Sequence, residues 1–300
     1  MAPRTTTITT LIENRPGAHR GLATEHGISF LIEHRGHTVL FDTGQSGAFV
    51  DNAAILLRNL SKVEHVVLSH GHYDHTNGLP RLLEQWDRSA APLPQLHVHR
   101  HFFDAKYAAA GPALTYIGPS WDRQWCERQG LSVELVGGTG GELVPGVHIV
   151  TGFDRTHQRE VNNPRFVVDR ADTDRAADTV GAADTAGTDP EVDDFRDEVS
   201  LVIETDRGLV MLVGCSHPGI MNMLDTIRTR FRQPLYAVLG GTHLVEAHGE
   251  RLDEARAYLQ DPTTGILGLS HCTGDEAMEL LEGDNGPRFY RNGTGSSLVV

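Results

Sequence analysis

One short segment limits what this chain can fold into more than any other, because it carries four side chains that can bind metal ions within six positions. They are His70, His72, Asp74 and His75, and they directly follow the β-rich residues 63–68. On an extended segment alternate side chains point to one side, so His70 and His72 can hold one metal ion. The turn after them can aim Asp74 and His75 at a second ion. Imidazole nitrogen and carboxylate oxygen suit zinc, manganese or iron.

The same arrangement, an apolar strand followed by polar residues, recurs later in the chain. Residues 209–213, 235–239 and 266–269 read as strands, and they lead to Cys215, His243 and His271. Hairpins are predicted at 28–32 with 38–41 and at 200–205 with 209–213, a further strand at 95–99, and helices at 49–60, 78–85, 221–230 and 251–259. Open α/β proteins place their sites at the carboxyl ends of strands. The pattern therefore predicts an α/β fold with one site built from several strand ends.

These motifs resemble those of a known superfamily. The run from His70 to His75 matches the HxHxDH signature of the metallo-β-lactamase superfamily, and Phe41-Asp42-Thr43-Gly44 resembles the strand end that precedes it. Three later motifs, at 214–219, 240–243 and 271–274, resemble one branch. That branch is named for 7,8-dihydropterin-6-methyl-4-(β-D-ribofuranosyl)-aminobenzene-5′-phosphate synthase. The similarity extends from about Leu31 to the C-terminus.

The resemblance implies a four-layer αββα sandwich and further metal ligands at later strand ends. His271 is implied as the last ligand. The bridging position, which usually holds aspartate, is occupied by Cys215 here, with His217 two residues later. Cysteine thiolate binds zinc well, so Cys215, His217 or both are expected to face the metals. The cofactors implied are two divalent transition-metal ions, zinc first, with manganese or iron as alternatives.

A histidine expected shortly before residue 200 is missing. The segment 193–198 offers Asp194 and Asp197 as substitutes. We favour His217 as the source of the missing imidazole. In related nucleases a strand-end histidine helps to protonate the leaving group, so His243 is expected to be that acid or a ligand. Asp74 is expected to orient the attacking water as well as to ligate.

Other polar residues receive structural interpretations. Asp42 is expected to orient a metal-bound imidazole rather than to bind metal. His97, His99 and His101 alternate along a strand that the superfamily places away from the metals, so we expect a partly exposed structural strand. Arg155 and Arg159 are candidate phosphate contacts.

Composition limits the partners. The net charge of −14 argues against nucleic acid and against anionic membranes. Only two of the 26 basic residues are lysines, which indicates a salt-adapted or GC-rich source and weakens the argument against nucleic acid. No apolar run is long enough to span a bilayer. Three cysteines do not make a disulfide framework. We expect a cytoplasmic protein with a small-molecule substrate.

One segment differs from the rest in composition. Residues 169–194 are rich in Ala, Asp, Thr and Gly and poor in large apolar side chains. Such a segment cannot bury enough apolar surface to order itself. We predict a disordered acidic insertion within a single domain of residues 1–300.

The leading functional hypothesis is a dinuclear metal-dependent hydrolase that acts on a small phosphorylated or pterin-like metabolite. The alternatives are a phosphodiesterase or nuclease of the same fold, and a non-catalytic metal-binding or ligand-sensing protein, since fold alone does not determine function. A nuclease would need a basic track for its substrate.

Overall fold

Two seven-stranded sheets form the centre of the protein in a computed structural model, which describes residues 5–170 and 190–300. The first sheet has the order β18 (Ser297–Val299), β1 (Thr7–Ile12), β2 (Ser29–His34), β3 (His37–Phe41), β4 (His65–Val67), β5 (Gln95–His99) and β8 (Val133–Val136). The second has the order β17 (Phe289–Arg291), β16 (Thr264–Ser270), β15 (Leu235–Gly241), β14 (Gly208–Val213), β13 (Ser200–Thr205), β10 (Val147–Val150) and β9 (Gly140–Val144). Both predicted hairpins are confirmed, as β2 with β3 and as β13 with β14.

Alternation along the strands produces three separate apolar cores. In β3, Val39 and Phe41 point into the core between the sheets, whereas Leu40 points to the outer face. In β14, Val210 and Leu212 enter the same central core, and their neighbours pack on the opposite side. A strand with apolar residues on both faces must be covered on both faces. Helices therefore cover each sheet, and the predicted αββα order is confirmed.

The helices belong to two outer layers. On the first sheet lie α1 (Ala48–Ile55), α3 (Leu79–Glu84) and α4 (Arg123–Gln129); the short α2 (Tyr73–Thr76) carries part of the metal-binding motif. On the second sheet lie α5 (Ile220–Arg230), α6 (Glu250–Leu259) and α7 (Asp275–Asn285). The helix predicted over residues 49–60 is too long. It ends at Ile55, because Leu57 adopts a left-handed backbone with a φ of 55° and is exposed.

A small third sheet has the order β12 (Glu191–Val192), β11 (Phe166–Asp169), β6 (Ala105–Ala110) and β7 (Ala113–Tyr116). It corrects the limits of the predicted disordered insertion at 169–194. Asp169 is paired within β11, and residues 191–192 pair with β11, so both ends of that segment are ordered. The remainder of the insertion, residues 171–189, lies outside the described residues.

Strand direction determines where the functional residues meet. Strands β3, β4, β5 and β8 are parallel, and so are β14, β15, β16 and β17. The carboxyl ends of parallel neighbours share one edge of their sheet. Asp42 follows β3, the segment His70–His75 follows β4, and Cys215, His243 and His271 follow β14, β15 and β16.

Candidate metal centre

Three histidines form the first group of potential ligands. One ring nitrogen of each of His70, His72 and His217 lies within 4.8 Å of the others, and all three residues are buried. Their Nε2 atoms have no hydrogen-bond partner among the described residues. A buried polar atom without a partner is costly. The structure thus brings His217 into the place of the imidazole missing from residues 193–198.

A second group lies beside the first and contains the other predicted ligands. Asp74 Oδ2 lies 3.6 Å from His75 Nε2 and 3.2 Å from His271 Nε2. His75 Nε2 lies 3.2 Å from Cys215 Sγ. Cys215 also lies within ligand distance of His70, so its sulfur stands between the two groups. This is the position in which a bridging ligand is expected.

Polar residues behind the ligands hold the rings in place. His75 Nδ1 lies 2.6 Å from Asp42 Oδ2, and Ser69 Oγ donates to the same oxygen at 2.8 Å. His70 Nδ1 lies 2.9 Å from Ser69 Oγ. A carboxylate on one ring nitrogen fixes the tautomer, so that the other nitrogen is free for metal. Asp42 therefore orients His75, as the sequence indicated.

His271 is held by two residues of the loop that follows β1. Glu13 accepts a hydrogen bond from the backbone N–H of His271 at 2.6 Å, and Asn14 Oδ1 lies 2.9 Å from its Nδ1. Burial raises the pKa of Glu13, against the backbone amides that stabilise its charge. Because Asn14 contacts Nδ1, the Nε2 atom of His271 can face Asp74.

Four imidazoles are in the neutral form that binds metal. Burial lowers the pKa of His72 to about 3 and that of His271 to about 4. It also lowers the pKa values of His70 and His217 well below the usual 6.5. His75 differs: burial lowers its pKa, but the carboxylates of Asp74 and Asp42 outweigh burial and raise it to about 9. A metal at His75 must displace that proton.

Asp74 and Cys215 have opposite protonation preferences. Burial raises the pKa of Asp74, but His75, His26 and His271 outweigh it and hold the pKa well below 3.8, so this carboxylate is ionised. Burial, with the neighbouring Cys272, raises the pKa of the Cys215 thiol. A coordinated metal ion removes such a thiol proton. Cys215 thus needs the metal in order to become a thiolate.

The donor set fits zinc or a similar transition metal. It consists of neutral imidazoles, one ionised carboxylate and one thiol, which are the donors that structural and catalytic zinc sites use. The unpartnered Nε2 atoms of His70, His72 and His217 are satisfied when a cation lies among them. The residues present therefore fit the two divalent ions that the sequence implied.

Strained backbone marks the same region. Seven of the described non-glycine residues have φ values between 49° and 60°, and five of them lie here: Asp42, Phe195, Ser216, His243 and His271. Such left-handed conformations cost energy and persist where the surroundings impose them. Four of the five, Asp42, Ser216, His243 and His271, lie one to three residues after a strand end, so the chain turns sharply where it presents its functional side chains.

His243 lies next to the histidine group and outside the ligand groups. Its ring centroid is 4.4 Å from that of His217, and its Nδ1 is 3.7 Å from Glu246 Oε2. Burial lowers its pKa, against the Glu246 carboxylate, which raises it. Of the two predicted roles, this position favours the proton donor over the ligand.

The small third sheet and the residues after it cover the histidine group. The ring of Phe195 stacks on His217 with centroids 3.7 Å apart and planes 9° apart, and Phe166 lies 5.7 Å from His72. Both phenylalanines are buried. This cover packs against the side of the centre formed by His70, His72 and His217.

A buried ion cluster joins the cover to the metal-binding motif. Lys106 Nζ donates to Asp193 Oδ2 at 2.8 Å and to Asp197 Oδ1 at 2.9 Å, and all three residues are at most 2% exposed. The backbone N–H of Gly71 donates to Asp197 Oδ2 at 2.9 Å. Asp197 therefore stabilises the His70–His72 turn. Its position does not favour the alternative in which it replaces a histidine ligand. Asp194 bonds Arg170 and Arg196 instead.

Sequence reasoning missed two neighbours of the ligands, His26 and Glu198, and it expected a third, Cys272, to lie near a metal. His26 Nε2 lies 3.2 Å from Asp74 Oδ2, although residue 26 precedes every motif. Glu198 is fully buried 3.8 Å from His70 Nδ1, and burial raises its pKa to about 8. Cys272 lies beside Cys215. Only Cys272 had a signal, because it adjoins His271 in the sequence.

One other prediction needs correction. His97 and His99 are 6% and 7% exposed, so the strand is buried rather than partly exposed; His97 Nε2 contacts His65 Nδ1 at 3.0 Å. Arg155 bonds Asn162 and the backbone of Asp194, and Arg159 pairs with Glu250 and Glu254. The role of these two arginines as phosphate contacts stays a prediction.

Comparisons with known proteins agree with this geometry. The sequence model of the metallo-beta-lactamase superfamily matches residues 25–156. A crystal structure described as a metal-dependent hydrolase of the beta-lactamase superfamily matches with a TM-score of 0.79 and 26% identity, and the match covers 98% of each chain. The chain is therefore similar to the metallo-beta-lactamase superfamily in sequence, over residues 25–156, and in fold.

Relatives within the superfamily cover nearly the whole chain. A protein of Methanocaldococcus jannaschii named 7,8-dihydropterin-6-methyl-4-(beta-D-ribofuranosyl)-aminobenzene-5′-phosphate synthase is 27% identical over 286 residues, 91% of this chain and 90% of that protein. A second protein of that organism is 26% identical over 272 residues. A structure described as a diphosphatase of the PhnP family has a TM-score of 0.53 at 13% identity, which shows a common fold alone. The branch that the motifs resemble is thus also found by full-length similarity.

No helix in residues 5–170 and 190–300 is both long and apolar enough to cross a bilayer.

Proposed function

We propose that this chain is a metal-dependent hydrolase that acts on a small metabolite carrying an anionic group, of the phosphorylated or pterin-like kind. The observation that carries the proposal is the meeting of two ligand groups at Cys215: His70, His72 and His217 on one side, and Asp74, His75 and His271 on the other. When bound, two divalent ions in such a site lower the pKa of a water molecule towards neutrality and stabilise charge that develops on the substrate.

The protein's own side chains supply orientation and a proton. Asp74 is ionised and lies between His75 and His271, so its free lone pairs can orient a water molecule by accepting its hydrogen bond. His243 stands beside His217 and is partly accessible, with 13% of its side chain exposed. Glu246 favours the protonated form of His243, although burial on balance lowers the pKa of this imidazole. His243 then donates its proton to the leaving group.

Access favours a small anionic substrate. A cavity of about 280 Å³ opens beside His271, and its walls include Arg15, Arg291 and Glu13. The guanidinium groups pair with Asp275 and Glu282, which are 69% and 52% exposed. Exposed pairs are weak and exchange readily. A substrate phosphate or carboxylate can therefore take a guanidinium partner in this cavity.

The relative's name is consistent with this class of ligand, because the product it describes contains both a pterin and a phosphate. The net charge of the protein does not favour the alternative function, a phosphodiesterase or nuclease. The chain carries −14 overall, which disfavours a polyanionic substrate.

A substrate screen tests the proposal. Protein loaded with zinc or manganese is assayed against phosphomonoesters, phosphodiesters, lactones and pterin phosphates, beside the variant His72→Ala. The exposed His248 provides the matched control, His248→Ala. We expect turnover of a monoester or pterin phosphate that requires metal, disappears in His72→Ala and persists in His248→Ala. Turnover of diesters alone would favour the nuclease. No turnover by metal-loaded protein would favour the non-catalytic sensor.

A further inference from the structure

Cys272 is a buried thiol beside the metal centre that none of the steps above uses. It directly follows His271 at the end of β16, within the 3₁₀ turn His271–Thr273, and is 8% exposed. Its sulfur lies within 4.8 Å of ligand atoms of both Cys215 and His271. Ligand atoms that share one metal ion lie within such distances of one another, since metal–sulfur and metal–nitrogen bonds are about 2.3 and 2.1 Å.

The surroundings of the Cys272 sulfur suit a negative charge. The backbone N–H of His243 donates to Sγ at 3.3 Å. Hydrogen bonds from backbone amides stabilise an anionic acceptor more than a neutral one. The thiol also donates a hydrogen bond to the carbonyl oxygen of Cys215 at 3.5 Å.

The neighbouring strand leaves room for this sulfur. A Cβ atom at Gly241, the last residue of β15, would lie 2.5 Å from Cys272 Sγ and 2.6 Å from the carbonyl oxygen of Gly214. Any side chain at Gly241 would displace the thiol. Because Gly241 has no side chain, the ends of β14, β15 and β16 can bring two sulfur atoms to one edge of the sheet.

We propose that Cys272 is a second thiolate ligand, which with Cys215 binds the metal ion held by His75 and His271. This inference rests on the metal centre of the proposed function and specifies its chemistry. Thiolate donors select zinc over magnesium and manganese, which prefer oxygen. Two thiolates on this side of the centre therefore favour zinc or iron over manganese.

Cobalt substitution tests the assignment without reference to activity. Cobalt(II) bound to thiolate absorbs in the near ultraviolet, and the intensity follows the number of cobalt–sulfur bonds. The full-length protein and the variants Cys215→Ser, Cys272→Ser and Cys126→Ser are loaded with cobalt, and absorbance is divided by the cobalt content from elemental analysis. Cys126 is a buried cysteine in α4, outside the ligand groups. It is the matched control.

We expect Cys272→Ser to lose about half of the wild-type intensity, as one of two sulfur donors is removed, and Cys126→Ser to retain all of it. If Cys272→Ser still binds cobalt and its absorbance per cobalt ion is unchanged, the inference is wrong and the proposed function is unaffected. A wild-type protein that binds no cobalt would instead contradict the proposed function.

A second measurement avoids substitution at Cys272. Wild-type protein is treated with iodoacetamide before and after removal of zinc by a chelator, and labelled peptides are counted by mass spectrometry. A thiolate held by metal is shielded, because ligation and nucleophilic attack use the same electrons. Metal-dependent protection of both Cys215 and Cys272 supports the assignment. Protection of Cys215 alone refutes it, and Cys126 should react equally in both states.

Discussion

Replacement of Lys106 by methionine tests the buried ion cluster between the cover and the metal-binding turn. Lys106 is 2% exposed and is bonded to Asp193 and Asp197 at 2.8 and 2.9 Å. Methionine has a similar length but no charge, so Lys106→Met removes the buried cation from both carboxylates and leaves Asp193 only Arg170, at 3.9 Å. Breaking a buried ion pair from one side costs about 3–5 kcal/mol. This is a large part of the roughly 5–15 kcal/mol by which a domain is stable.

Urea denaturation followed by circular dichroism measures this loss. We expect the free energy of unfolding to fall by about 3–5 kcal/mol, with a thermal midpoint lower by roughly 10 °C. The chain has one other lysine, Lys62, which is exposed. Lys62→Met is thus a matched control and should change stability by less than about 0.5 kcal/mol.

The same cluster should matter for metal binding, because Asp197 also holds the backbone N–H of Gly71, between His70 and His72. Competition with a chelator should show weaker zinc binding by Lys106→Met. The combined variant Lys106→Met with Asp193→Asn and Asp197→Asn should regain part of the lost stability, since no unpaired charge remains buried. A loss in Lys106→Met no larger than in Lys62→Met would show that the reasoning is wrong.

Further predictions concern the metal and the histidines. Elemental analysis of metal-replete protein should find up to two transition-metal ions per chain, and His72→Ala should lose most of that metal; metal-free wild-type protein would contradict the assignment. Asp42→Asn should weaken metal binding by roughly 10- to 100-fold, measured by chelator competition, since it removes the carboxylate that orients His75. Burial lowers the pKa of His97 to about 4, so protonation favours unfolding; the stability that this residue contributes is complete above pH 6.5 and decreases as the pH falls towards 4. We expect the free energy of unfolding, measured by urea denaturation at each pH, to fall by at most about 3 kcal/mol and to fall less in His97→Gln. Identical pH profiles of the two proteins would show that His97 does not cause the loss.

The metal-binding motif and most of the surrounding strands were predictable because their signals are local. His70, His72, Asp74 and His75 are close in sequence, and the chemistry of their side chains is independent of the fold. The alternation of apolar residues in β2, β3, β13 and β14 is also local, since a strand must present them to its two faces. The helix at residues 49–60 was extended too far because the left-handed conformation of Leu57 has no apolar signature.

The sequence alone therefore determined the class of fold and the kind of chemistry, through short-range spacing of histidine, aspartate and apolar residues. Only the tertiary structure decided which distant residues complete the centre. His26 lies against Asp74, and Glu13 and Asn14 hold His271 across more than 250 residues of chain. The buried position of Lys106 and the approach of Cys272 to Cys215 likewise depend on how strand ends meet. Such contacts leave no periodic pattern, because each depends on two segments that only the packed sheets bring together.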